Sequence, residues 1–173
     1  MHIRQAEIDD AEELARLLNS IIAEGGKTAI DTPLSGPEFA EWFITGSHCI
    51  SCLLADTDEG ILGFQALERF HADLPQDMAD IATFVTVSAR GSGIGRSLSH
   101  ATAAIAEGTG VQRIRAVIQR SNEDAIRYYR SVGFHDDTAN RTSSSVALIR
   151  PTGLGVTLRM SSPSDFPSRL RDD

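Results

Sequence analysis

The stretch Phe84 to Ile105 constrains the fold of this chain more than any other. A run rich in Ile, Val, Thr and Phe, from Met78 to Val87, reads as a strand. It leads into Arg90-Gly91-Ser92-Gly93-Ile94-Gly95, after which Ile94, Leu98, Ala101 and Ile105 recur with helical spacing. A glycine turn between a strand and a helix lets main-chain amides come close to an anion, at the positive end of the helix. The joint predicts a seat for a phosphate or pyrophosphate, set against the plainer reading of a simple helix-start turn.

Spacing decides among the phosphate-binding loops. A P-loop needs Lys after its last glycine and another glycine five residues earlier, where this chain has Arg96 and Arg90. A dinucleotide loop needs Gly or Ala where Leu98 stands, and an acid about 20 residues on. The strand that would carry that acid ends Val117-Ile118-Gln119-Arg120. Both readings fail on named positions.

Elsewhere the periodicity alternates in a simple order. A short strand at Ile3 to Ala6 precedes a helix with Leu14, Leu17, Leu18, Ile21 and Ile22 on one face, capped by Asp9 or Asp10 and ended by Gly25-Gly26. Ser35-Gly36-Pro37-Glu38 opens a second helix, running to about Ile44. Cys49 to Ala55 and Ile61 to Phe70 predict a hairpin. After the glycine loop and its helix come a strand at Arg113 to Ile118, a helix from about Glu123 to Val132, and strand material at Phe134 to Thr138 and Val146 to Met160. The expected order is β-α-α-β-β-β-α-β-α-β-β, an α+β domain over residues 1–160 with a mobile tail over 161–173.

Sixteen Lys and Arg against 24 Asp and Glu give a net charge of −8. That argues against non-specific nucleic-acid binding and docking on anionic membranes, and favours cationic small molecules. No apolar run reaches the roughly 18–20 residues that span a bilayer, and the first residues lack a signal-peptide core. The cysteines are Cys49 and Cys52 alone. On a strand, residues three apart face opposite sides, so no metal or redox pair is expected from them. These features predict a cytoplasmic enzyme.

Two motifs carry a family resemblance. Arg90-Gly91-Ser92-Gly93-Ile94-Gly95 resembles the Arg/Gln-x-x-Gly-x-Gly/Ala signature of the GNAT N-acetyltransferases. Downstream, Asn122-Glu123-Asp124-Ala125-Ile126-Arg127-Tyr128-Tyr129-Arg130-Ser131-Val132-Gly133-Phe134 is similar to the family's Asn-x-x-Ala-x-x-x-Tyr-x-x-x-Gly-Phe helix. The motifs lie about 30 residues apart with one strand between them, and the likeness leans loosely to the phosphinothricin-type branch. The resemblance implies a GNAT acyl-CoA N-acyltransferase fold. In that fold a mixed, mostly antiparallel sheet is flanked by helices on both faces and splayed between the strands at 78–87 and 113–118. It implies acetyl-CoA as cosubstrate and no metal. Val85 and Val87 would offer main-chain groups to pantetheine, Val87 standing where the family often has proline. Gly91, Gly93, Ile94, Gly95, Arg96 and Ser97 would cradle the pyrophosphate, Arg90 would add charge, and Asn122 would touch the coenzyme.

Transfer of an acetyl group to an amine needs a proton acceptor, an amide for the oxyanion and an acid for the departing thiolate. By resemblance Tyr129 is that acid, against a plainer reading as a core aromatic beside Ala125 and Val132. Asp80, thirteen residues before Gly93, matches the base position, against a solvated carboxylate at a strand end. His71 and Glu24 are further base candidates. Lys27 and Thr28, in the loop after the first helix, and Phe84 are the acceptor-pocket candidates, with Arg69 and Trp42 as lesser ones. The expected reaction is direct acetyl transfer to the primary amine of a small molecule. The alternatives are acetylation of a protein N-terminus or lysine, and a non-catalytic acyl-CoA-binding module. An open sheet also predicts a homodimer.

Overall fold

The computed structural model describes residues 1–71, 74–138 and 142–153. The strand at His2–Gln5 (β1) is followed by a 3₁₀ turn and the helix Ala11–Glu24 (α1), which buries Leu14, Leu17, Leu18 and Ile21. Burying each of these side chains contributes about 1.5–3 kcal/mol. Neither Asp9 nor Asp10 caps α1 through its side chain, contrary to expectation. The Asp10 carboxylate instead accepts from the Glu7 amide at 2.8 Å and from Arg4 at 2.7 Å, so it braces the turn before the helix. Gly25, at φ 72°, ends α1.

The helix Gly36–Ala40 (α2) starts as its sequence predicts: Ser35 Oγ accepts from the Glu38 amide and the Glu38 carboxylate accepts from the Ser35 amide. A π-helical turn continues it to Thr45. The remaining elements are Cys49–Thr57 (β2), Gly60–Glu68 (β3), Met78–Val85 (β4), Ile94–Gly108 (α3), Arg113–Gln119 (β5), Glu123–Ser131 (α4), His135–Asp136 (β6) and Ser145–Pro151 (β7). The element order is the one read from the sequence. Several boundaries differ, three of them in the later strands. The fourth strand stops at Val85 and a 3₁₀ turn holds Val87, β6 is only two residues long, and β7 ends at Pro151. The predicted strand from 154 to 160 and the predicted mobile tail lie outside the described residues.

The strands form one sheet in the order β1-β2-β3-β4-β5-β7-β6, antiparallel except where β4 meets β5. Alternation along the strands sends Leu54, Phe64 and Phe84 to the face covered by α1 and α2, where Leu14, Leu18, Phe39 and Phe43 meet them. Leu53, Ala55, Ile114 and Leu148 point to the other face, under α3 and α4. The buried face of α3 is Ile94, Leu98, Thr102 and Ala106, rotated from the predicted stripe, with Ala101 and Ile105 only partly buried.

The sheet opens between β4 and β5. Their parallel pairing covers only Met78–Asp80 with Arg113–Arg115, after which the strands continue unpaired with one another. The expected splay is present, and it positions the site.

Candidate active site

A cavity of about 550 Å³ occupies this opening. Its lining brings together the glycine loop, Thr83 to Val85 of β4, and Tyr128 and Tyr129 of α4. Main-chain geometry explains why β4 serves it. The Thr86 amide donates to the Leu62 carbonyl at 2.9 Å, and the same register pairs Gly63 with Val85 and Gln65 with Thr83. In an antiparallel ladder hydrogen-bonded pairs alternate with non-hydrogen-bonded ones. The amides and carbonyls of Thr83 and Val85 therefore turn away from β3 and into the opening.

The glycine loop has the form an anion needs. Gly91 and Gly93 have φ of 81° and 92°, and a Cβ built at either would meet nothing within 4 Å. The space a side chain would fill is open. Gly93 is also the N-cap of α3 and has no side chain to occupy the first-turn amides. Gly95 is glycine for a different reason, since a Cβ there would stand 2.8 Å from the Tyr128 ring. Ile94, Gly95 and Arg96 line the cavity, and Arg96 is exposed at its rim. These residues fit a pyrophosphate-bearing ligand: an open cradle, free helix-start amides and a rim cation.

Several other expected ligands sit differently. Val87 is 64% exposed on its 3₁₀ turn and does not line the cavity, because the strand ends two residues earlier. Ser97 also lies outside the lining, its amide bonded back to the Gly93 carbonyl. Arg90 lines the cavity but its guanidinium is engaged, giving two bonds to the Glu24 carboxylate at 2.6 and 2.7 Å and one to the Val85 carbonyl at 3.2 Å. Arg90 thus ties the end of α1 to the glycine loop, and it holds the Glu24 carboxyl below its ordinary pKa. That pairing also removes Glu24 as a free base.

Asn122 caps α4 by accepting from the Ala125 amide, and its Nδ2 donates to the Lys27 carbonyl at 3.0 Å. Gln119 donates in the same way to the Thr28 carbonyl at 2.9 Å. The loop after α1 is thereby fastened across the end of the opening. Lys27 lines the cavity and pairs with Asp124 at 3.5 Å, while Thr28 Oγ1 accepts from the Ile30 amide. Phe84 lines the cavity and packs on Phe64 at 4.8 Å between ring centroids. Trp42 lies away from it, stacked on Phe43 and Phe70. Arg69 reaches the Gln76 carbonyl, and His71 packs on Phe70.

Asp80 is placed differently from the expectation of a base facing the cleft. It is buried, does not line the cavity, and both its oxygens accept from Arg115, at 2.7 and 2.9 Å. Strand burial explains this, because a carboxylate inside a sheet is held only if a cation meets it. Replacing Asp80 with Asn is expected to cost about 3 kcal/mol of stability, read by denaturant unfolding, since it takes a bidentate partner from a half-buried guanidinium.

Across the ladder from Asp80 stands Glu68, whose carboxylate makes no hydrogen bond or ion pair among the described residues. Burial, and then the Asp80 charge, push its pKa up to about 7. The folded state therefore binds a proton that the unfolded chain releases near pH 4.5. Stability contributed by neutral Glu68 is full below that pH and is lost as pH rises toward 7. Glu68→Gln should flatten this slope in thermal melts between pH 5 and 8.

Tyr129 is buried, and its hydroxyl lies 2.9 Å from Thr83 Oγ1 and 3.4 Å from the Ile81 carbonyl. Tyr128 gives its proton to the Gly95 carbonyl at 2.7 Å. Sequence reasoning passed over Thr83, Gln65 and Glu68. The visible signal was a polar residue inside each of two apolar strands. Cys52 is buried and Cys49 Sγ donates to the Trp42 carbonyl, both as free thiols. No cluster of metal-ligating side chains occurs among the described residues.

The family model described as Acetyltransferase (GNAT) family matches residues 14–134, well over half of the chain. The chain belongs to the GNAT acetyltransferase family. This GNAT acetyltransferase is 25% identical over 136 residues to YwnH of Bacillus subtilis (strain 168), provisionally named a phosphinothricin acetyltransferase, covering 78% of this chain and 83% of YwnH. Among solved structures it matches yncA of Salmonella typhimurium, provisionally named an acetyltransferase and solved with acetyl-CoA. The TM-score is 0.77 at 16% identity, over 90% of this chain and 96% of that one. It matches the phosphinothricin acetyltransferase Pat of Sinorhizobium meliloti, in complex with acetyl-CoA, with a TM-score of 0.74 at 20% identity over 87% of each chain. Its likeness runs to the phosphinothricin-type branch, and the seven-stranded splayed sheet is the GNAT fold.

Proposed function

We propose that this GNAT chain transfers the acetyl group of acetyl-CoA to the primary amine of a small molecule, as a cytoplasmic enzyme. The observation that carries this reading is one cavity between β4 and β5 that holds an open glycine cradle and a buried phenol together. The yncA and Pat structures, both solved with acetyl-CoA, support the choice of cosubstrate.

Gly91, Gly93 and the first-turn amides of α3 hold the pyrophosphate, with Arg96 at the rim. The Val85 amide, directed into the opening, stabilises the developing oxyanion. Tyr129 gives its proton to the departing thiolate. The proton lost by the amine passes to water in the opening, since Arg115 holds both Asp80 oxygens and neither Asp80 nor Glu68 lines the cavity. The loop over residues 25–30, held by Asn122 and Gln119, narrows the acceptor side and favours a small amine over a protein chain. Among the described residues the sheet ends on β1 and β6, and two chains pairing through either edge would form a homodimer, which sedimentation would read.

Calorimetric titration with acetyl-CoA, using NADH and ATP as controls, tests the cosubstrate. Thiol release with amino acids, amino-acid-like amines, polyamines and a peptide N-terminus then tests the acceptor. Micromolar binding with turnover on a small amine is the expected result. Binding without turnover on any amine would make this chain a binding module, and turnover on the peptide alone would make it a protein acetyltransferase.

A further inference from the structure

Gln65, Thr83 and the two tyrosines form one polar chain inside an otherwise apolar layer. Gln65 and Thr83 are cross-strand neighbours at a non-hydrogen-bonded position, where side chains approach most closely. Gln65 is fully buried, and its Nε2 donates to Thr83 Oγ1 at 2.7 Å and to the Tyr128 hydroxyl at 3.4 Å. The direction of these bonds follows from the far end of the chain. Tyr128 must donate to the Gly95 carbonyl, because a carbonyl only accepts, so the Tyr128 oxygen receives from the Gln65 amide.

That orientation leaves Gln65 Oε1 buried without a partner among the described residues. A buried acceptor left unmet costs stability, so a purely structural role explains this amide poorly. What the arrangement secures is the polarity at Thr83. Its oxygen receives from Gln65, and its single proton is available to the Tyr129 oxygen 2.9 Å away. The proton of Tyr129 then has only the Ile81 carbonyl at 3.4 Å beside it, and the ring lines the cavity.

We infer that Thr83, aligned by Gln65, is a positioning residue that, as donor to the Tyr129 oxygen, leaves the Tyr129 proton held only by the long contact to the Ile81 carbonyl, and that donates a hydrogen bond to the phenolate formed when that proton leaves. The inference rests on the acid role of Tyr129 in the function proposed above. In balance, the carbon–sulfur bond breaks with its electron pair going to sulfur, sulfur takes the Tyr129 proton, and water later returns a proton to the phenolate. Burial and the neighbouring Tyr128 hold the Tyr129 phenol well above its ordinary pKa, and Thr83 pulls it back. Without that donor a buried phenol gives up its proton reluctantly.

The sequence contains only two tyrosines, so selective labelling of the tyrosine ring carbon that bears oxygen gives two resonances, assigned with Tyr129→Phe. Thr83→Val should move the Tyr129 resonance and lower kcat about 10- to 100-fold with acetyl-CoA affinity unchanged. Thr83→Ser, which keeps the hydroxyl, should restore both. Thr83→Val combined with Tyr129→Phe should be no slower than Tyr129→Phe alone, because both act through one proton. An unmoved resonance with wild-type kcat in Thr83→Val overturns the inference. So does a Thr83→Ser protein as slow as the valine variant, or full multiplication of the two effects. If valine is not tolerated, Thr83→Ala is read in the same two ways. The resonance needs no substrate. A wild-type chain that acetylates nothing overturns the proposed function, whereas an active chain indifferent to Thr83→Val overturns this inference alone.

Discussion

Tyr129→Phe is expected to lower kcat by about ten- to a thousandfold while acetyl-CoA affinity stays near that of the parent protein. The hydroxyl is one atom of a ring that packs on Tyr128 and Phe134, at 4.8 and 5.1 Å between centroids, so phenylalanine keeps the packing and removes the proton. The wall of the cavity is preserved, which is why the loss should fall on kcat and spare binding. Steady-state kinetics beside calorimetry separates the two. Full activity across the pH range would remove Tyr129 from the reaction and leave it as the core aromatic that its burial also allows.

Gly93→Val should do the reverse and abolish coenzyme binding. At φ 92° a β-branched residue is strained by at least about 1–2 kcal/mol, and its side chain would project into the open space at the start of α3. The expected readout is loss of the calorimetric signal for acetyl-CoA together with a melting temperature lowered by several degrees. Retention of the parent affinity would show that the glycine cradle is not the anion seat. Gly95→Ala tests a neighbouring position by another route, since its methyl would meet the Tyr128 ring rather than a ligand.

The parts of the fold that were legible in the sequence are those set by local chemistry. Ser35 with Glu38 announced the start of α2, Gly25 the end of α1, and the glycine loop the start of α3. The hairpin of β2 and β3 could be read directly. Legibility failed where a partner distant in sequence decides. Asp80 looks like an exposed strand-end acid until Arg115, 35 residues on, takes both its oxygens. Arg90 looks like a phosphate ligand until Glu24, from the other end of the domain, claims it. Val87 continues the β-branched run, yet the chain has already left the strand because the register with β3 has run out. Within the candidate site, the cradle and the phenol were visible as motifs. Gln65 and Thr83 were not, because their meeting depends on which residues of two strands face one another.

The opening between β4 and β5 also bears on how this molecule avoids its own kind. A strand edge with unused peptide groups normally invites another chain to add itself, and such edges are where aggregation starts. Here a pair of edges is created in the middle of the sheet rather than at its rim, between strands that are still stitched together at Met78–Asp80 and closed over by α3, α4 and the loop after α1. The same peptide groups that would be a hazard on an outer edge are here turned inward, and two of them, the Val85 and Ile81 carbonyls, already accept from Arg90 and Tyr129, so little of this inner edge is offered to a neighbouring chain.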